Sequence, residues 1–234
     1  MTTYVLVHGA WSGAHNFRAV RRPLHAAGHD VFTPSLTGIG ERAHLTSPQV
    51  DLTTHVRDVV NVVLYEDLSD IVLLGFSYGG FVVTGALEHI APRVRHLVYL
   101  DAFVPDDGDT LLRLAGRDER VVVELGQAWF VPPPTREYDD PDEAAFAEAR
   151  RTPQPIDCFT EPVHLRHPLE SYPFTRTYIK ATADAADAPG AKAFWAAAER
   201  AKSSPAWRYR EVATNHMIPN NRPRELTELL LELA

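Results

Sequence analysis

Residues 75–79 read Gly-Phe-Ser-Tyr-Gly and follow directly on the aliphatic run Ile71 to Leu74. A serine between glycines, where a buried strand turns into a helix, is the setting of a nucleophile elbow. The sharp turn forces a backbone conformation unfavourable for a side chain, so the neighbours must be small, as Gly75, Gly79 and Gly80 are. In return the Ser77 hydroxyl projects above the sheet edge at a helix N-terminus. The free amides and dipole of that helix face developing negative charge. The chemistry indicated is nucleophilic attack by Ser77.

A serine hydroxyl is a weak nucleophile and needs a base, which in turn needs an orienting acid. Of eleven histidines, His216 lies in the loop after the last apolar run, in "EVATNHMIP". The others fit less well. His8 ends the first strand and packs under the loop that follows it. His164 and His167 are three apart in a proline-rich segment and read as solvent-facing. His55, His89 and His96 read as helix-surface or strand positions. No HExxH motif or Cys/His cluster occurs, so neither a metal site nor a cofactor is expected.

The chain order that accompanies such an elbow is serine, acid, histidine. It favours Asp184, in "TADAADAP" after the run "RTYIKAT". Asp101, at the end of "HLVYLDAF", remains a rival. Asp187 reads better as a cap for a helix starting near Pro189. An oxyanion needs two backbone N–H donors. Tyr78, just after the serine, supplies one. The loop "HGAW" (8–11) supplies the other, assigned to Ala10, with Gly9 allowing close approach.

These residues need a scaffold, and the pattern provides one. Apolar runs at 4–9, 30–35, 70–76, 94–103, 176–182 and 206–214 read as six strands. Helical patterns at 17–29, 51–68, 77–90, 190–202 and 222–233 lie between and after them, with Asp51 or Thr53 capping the second. This alternation means βαβ units, an α/β fold and a mainly parallel six-stranded sheet covered on both faces. Residues 104–174 break the alternation. They are dense in proline yet carry Leu111, Leu112, Leu114, Trp129, Phe130, Phe146 and Phe159, too apolar for disorder. They read as a lid inserted into a core formed by 1–103 and 175–234. Its acidic run "EYDDPDE" reads as a solvated face. Trp11, Phe103, Trp129 and Phe130 are pocket-wall candidates, with Trp129 foremost; plain core packing accounts equally well for such aromatics.

The totals narrow the function classes. The 234 residues fit a single α/β domain. A net charge of -8 argues against nucleic acid and against anionic membrane surfaces as partners. One cysteine, Cys158, allows no intrachain disulfide. The start "MTTYVLVHGAW" reads as a buried strand rather than a signal peptide, and no apolar stretch reaches spanning length. A cytoplasmic protein acting on a small molecule is expected, with a homodimer left open.

"YVLVHGAW", "GFSYGGFV", "LVYLDAFVP" and "ATNHM" together resemble the α/β-hydrolases of the plant methylesterase and hydroxynitrile lyase branch, with bacterial alkyl salicylate esterase-type relatives. The resemblance covers nearly the whole chain and is weakest in the lid. It implies the α/β-hydrolase fold, a Ser77–Asp184–His216 triad and an oxyanion hole made by the Ala10 and Tyr78 amides. It also implies a lid-covered pocket for a small, often aromatic ester. The lyases of this branch carry a Thr in the loop after the first strand and a Lys directly after the catalytic His. Here those positions are Ala10 and Met217, as in the esterases. Phe76 stands where His is common in relatives. The expectation is a serine carboxylesterase for a small aromatic or hydrophobic ester. The alternatives are a lyase or natural-product tailoring enzyme using His216 as base, and a ligand-binding protein with vestigial hydrolase activity.

Overall fold

The aliphatic runs become the strands of one twisted sheet in a computed structural model, which describes residues 1–117, 129–187 and 190–234. Strands β1 (Thr3–Val7), β2 (Asp30–Phe32), β3 (Ile71–Phe76) and β4 (Val94–Leu100) come first. After a two-stranded antiparallel ribbon, β5 (Phe130–Val131) with β6 (Gln154–Pro155), the sheet resumes with β7 (Thr175–Ala181) and β8 (Trp207–Val212). Its order is β2-β1-β3-β4-β7-β8, and every pairing in it is parallel. A parallel sheet needs crossovers that cover its faces, and the helices supply them.

All six residues of β3 are buried, and its five apolar side chains divide between two cores. Ile71 and Leu73 pack with the valine stripe of helix α2 (Leu52–Tyr65) and with helix α3 (Gly79–Ile90). Val72 and Leu74 pack on the opposite face with Phe17 and with Val20 and Leu24 of helix α1 (Arg18–Ala26). The β period of two thus splits one continuous apolar run into two buried faces. Local signals set the ends: Asp51 caps α2 by accepting from the Thr54 N–H at 2.7 Å, and Gly28 takes φ +84° just beyond α1.

Residues 104–174, the expected insertion, hold three short α-helices among those described, α4 (Leu111–Leu114), α5 (Pro141–Glu148) and α6 (Asp157–Thr160), and one 3-10 turn (Leu169–Ser171). Residues 118–128 of it lie outside the described residues. It is pinned to the core through Trp11. The Trp11 amide donates to Gln154 Oε1 at 2.9 Å, its indole N–H donates to the Val131 carbonyl at 2.9 Å, and its own carbonyl accepts from the Thr152 N–H at 3.1 Å. Helix α7 (Lys192–Ser203) precedes β8. The expected last helix, 222–233, is α9 (Pro223–Leu231), opened by the amide-less Pro223, and a short helix α8 (Ile218–Asn221) that was not expected precedes it. Among the described residues no helix is long and apolar enough to cross a membrane.

Helix α3 approaches the β4 end closely enough that a side-chain carbon on Gly80 would stand 2.1 Å from the Phe103 carbonyl oxygen. Gly80→Ala is therefore expected to lower stability by about 1–3 kcal/mol. Urea denaturation checks this, and an unchanged midpoint would mean that the Phe103 backbone retreats freely.

Candidate active site

Ser77 follows β3 immediately and adopts φ +56°, the left-handed region that a side chain disfavours. The surrounding backbone over-determines it. Its N–H donates to Leu100 O at 3.3 Å, and its carbonyl accepts from the N–H groups of Gly80 at 3.1 Å and Phe103 at 3.3 Å. Strain held this firmly is typical of functional positions. The loop after β1 comes equally close: a carbon on Gly9 would lie 3.0 Å from Ser77 Cβ.

The Ser77 hydroxyl is 2.9 Å from His216 Nε2, in the loop after β8. His216 Nδ1 is 2.7 Å from Asp101 Oδ2. In the tautomer this geometry requires, Nδ1–H donates to Asp101 while Nε2 accepts from the serine. The sequence reading gave the imidazole to Asp184, and the structure corrects that. Asp184 is half-buried, and its Oδ2 accepts instead from the His216 backbone N–H at 2.7 Å. Asp101 is fully buried at the end of β4, with φ +38°. Asp187 is exposed in a turn. Helix α7 begins at Lys192 without a side-chain cap, and the expected start at Pro189 lies outside the described residues.

Two aromatic rings hold the imidazole from the sides. Phe194 of α7 stacks on it at 4.8 Å and 9°, and Phe76 at 4.9 Å and 29°. Burial disfavours the charged ring and lowers the His216 pKa from its ordinary value, although Asp101 pulls the other way. A neutral imidazole beside a serine is what proton abstraction needs.

Among the described residues, neither the Ala10 nor the Tyr78 amide donates to a protein acceptor. Both flank Ser77 and could meet an oxyanion. Two buried histidines brace them. His8 Nδ1 donates to Gly9 O at 2.8 Å, and Nε2 accepts from the Leu36 N–H at 3.1 Å. His55 was read as a helix-surface or strand position, but it is fully buried. Its Nε2–H donates to Thr37 O at 2.8 Å, and its Nδ1 accepts from the Tyr78 hydroxyl at 2.9 Å. Burial lowers each of these pKa values to about 4, so both rings are neutral. The signal was present: His55 shares the buried stripe of Leu52, Val56, Val59, Val60 and Val63.

A cleft opens over Ser77 and His216. Ala10, Trp11, Phe76 and Met217 form its apolar side; Asn16, Arg136, Arg151 and Asn220 are among its polar groups. Of the four wall candidates, only Trp11 is among its described lining residues. Phe103 packs between Phe81 and Phe194 and lines a different hollow. Trp129 and Phe130 pack edge-to-face on each other, and Phe130 is exposed. Arg136 went unpredicted because it stands in a proline-rich run without periodicity, and Arg151 because it ends the helical pattern "PDEAAFAEARR" (141–151), whose apolar residues mark no single buried face.

Comparison with known proteins gives the family and several relatives. The profile of the alpha/beta hydrolase family matches residues 4–229. The chain is 53% identical over 114 residues to the carbendazim hydrolyzing esterase of Nocardioides sp. strain SG-4G, covering 49% of this chain and 47% of that protein. It is 30% identical over 109 residues to the alpha-hydroxynitrile lyase of Arabidopsis thaliana, covering 44% and 40%. These matches span about half or less of each relative's length. An extracellular alpha/beta-hydrolase from a Paenibacillus species superposes with a TM-score of 0.79 at 21% identity, covering 99% of this chain and 98% of that one.

The two carboxylates make separable contacts, so their variants should separate too. With an ester substrate, Asp101→Asn is expected to lower kcat by roughly 10³–10⁴-fold, since the ring loses its tautomer and its counter-charge. Asp184→Ala removes one hydrogen bond to the loop and should leave kcat within about tenfold of wild type. Equal losses in both variants would refute the division of roles.

Proposed function

The chain belongs to the alpha/beta hydrolase family, and from that premise we propose that it is a serine carboxylesterase acting on a small ester. The observation that carries this reading is the continuous chain Ser77–His216–Asp101, at 2.9 and 2.7 Å, on a strained elbow. The name of the Nocardioides relative supports ester hydrolysis and makes carbendazim a substrate to try.

The proposed steps follow from the geometry. His216 Nε2 takes the Ser77 proton as Oγ attacks the ester carbonyl. Asp101 stabilises the imidazolium through Nδ1–H, and the oxyanion turns toward the Ala10 and Tyr78 amides. Each such donor is worth about 3 kcal/mol of barrier. His216 then protonates the leaving alcohol, and water, deprotonated by the same imidazole, releases the acid. The lid assigned to 104–174 bounds the cleft through Arg136, Ala147 and Arg151. A substrate with its apolar part against Trp11 and an acceptor-bearing part toward the guanidinium groups matches this wall.

The test is intact mass after incubation with a fluorophosphonate, alongside hydrolysis of p-nitrophenyl acetate and carbendazim. A single adduct on wild type, absent from Ser77→Ala, with hydrolysis lost in parallel, is expected. Absence of the adduct from wild type would point to a pocket that binds or transfers protons without acylation. A second expectation concerns pH. The base must be neutral, and burial lowers its pKa. So kcat/KM should hold its plateau below pH 6.5 and fall only as pH drops through the depressed His216 value. A half-maximal point above 6.5 on the acid limb would contradict the burial argument.

A further inference from the structure

Behind the Ser77–His216–Asp101 chain stands a lysine that nothing so far has used. Lys180 lies inside β7, in the otherwise mostly apolar stretch Tyr178 to Ala181, and is fully buried. Its Nζ donates to Asp101 Oδ1 at 2.7 Å and also to the Ala181 carbonyl. The ammonium sits 4.5 Å from the Trp195 ring centroid. The Ala181 N–H donates to the same Asp101 Oδ1 at 3.2 Å. One carboxylate oxygen is thereby occupied by Lys180 and Ala181, leaving Oδ2 to face His216.

A hydrophobic residue at position 180 would serve packing at least as well. Taking two charges out of water is costly, and buried pairs are often replaceable by apolar residues without loss of stability. Something other than stability therefore accounts for this pair. We propose that Lys180 is a positioning residue for the esterase reaction, fixing the Asp101 carboxylate toward His216 and restraining the basicity of the imidazole through its positive charge. This rests on the function proposed above.

Asp101, at the end of β4, and Asp184, in the loop after β7, favour imidazolium. Arg136, from the inserted region, disfavours it. Phe76 and Phe194 face the ring without charge. Around Lys180 itself stand Asp101 and the Trp195 ring, and on β8 Glu211 is paired with it in register. With Lys180 in place Asp101 is half of a neutral pair. Without it the Asp101 charge is uncompensated and favours imidazolium more strongly, so the imidazole gains protons at higher pH.

Two variants test this. Lys180→Gln removes the charge and keeps an N–H donor; Lys180→Met removes both. The readout is the pH profile of kcat/KM for p-nitrophenyl acetate, and of the rate of fluorophosphonate labelling. Both variants should move the acid limb up by on the order of one pH unit. Lys180→Met should lose more kcat than Lys180→Gln, and neither should change KM much, because Lys180 is not among the residues lining the cleft. An acid limb superimposing on wild type in a folded, labelled variant overturns the proposal. So does failure of both variants to fold, which would make the pair a structural requirement. Absence of labelling in wild type would instead overturn the proposed function, so the two failures are distinguishable.

Discussion

Parallel in-register pairing of three adjacent strands is the constraint from which the site follows. Phe76 of β3 pairs with Leu100 of β4, and Leu100 pairs with Ile179 of β7. One residue further along each strand come Ser77, Asp101 and Lys180. The sheet thus delivers a hydroxyl, a carboxylate and an ammonium to one level of its carboxyl edge, where ligands bind in open α/β sheets. Backbone hydrogen bonds fix the level: Ser77 N–H reaches Leu100 O, and Asp101 N–H reaches Ile179 O at 2.7 Å. His216 arrives from the loop after β8, the neighbour of β7, and closes the chain from above.

Two of these residues, Ser77 and Asp101, have positive φ, and both are buried. A strained, buried polar residue persists only where its surroundings supply compensation. Ser77 has the backbone clasp described above. Asp101 has three donors: Lys180 Nζ, Ala181 N–H and His216 Nδ1–H. These donors offset the cost of holding a carboxylate out of water.

The sheet was legible in the sequence because burial on two faces leaves continuous aliphatic runs, and β3 shows this plainly. Ser77 and His216 were legible because each occupies a loop whose type is set by its neighbours. The acid was not, since serine–acid–histidine order is satisfied by Asp101 and Asp184 alike, and order says nothing of which carboxylate reaches a ring. Adjacency in the sheet decides that. Asp101 ends the strand beside β3, whereas Asp184 lies three residues past β7 in a loop that also carries Asp187. Lys180 stands out in "TYIKA" as a charge in a buried strand, which is the signal to follow. The inserted region yielded least. Its prolines and scattered aromatics carry no period, so Trp129 and Phe130 could not be told from wall residues, nor Arg136 from surface.

The two carboxylates around His216 divide what a single acid often does. Asp101 acts on the ring, setting its tautomer and lying beside the charge it would acquire. Asp184 acts on the backbone, holding the His216 N–H, while its own carbonyl accepts from the Trp195 indole N–H at 3.0 Å. Helix α7 therefore meets the site three times: Phe194 on the imidazole, Trp195 on the Asp184 carbonyl, and the same indole face over Lys180. A serine hydrolase needs an imidazole that is neutral before attack and tolerates a proton after it. Aromatic faces suit both states, since they exclude water from the neutral ring and attract the cation. The Lys180 ammonium opposes the second state, and Asp101 mediates between them. The basicity of His216 is then set first by burial, which lowers it, and next by a balance of fixed charges in a dry interior, where each charge acts more strongly than it would in water.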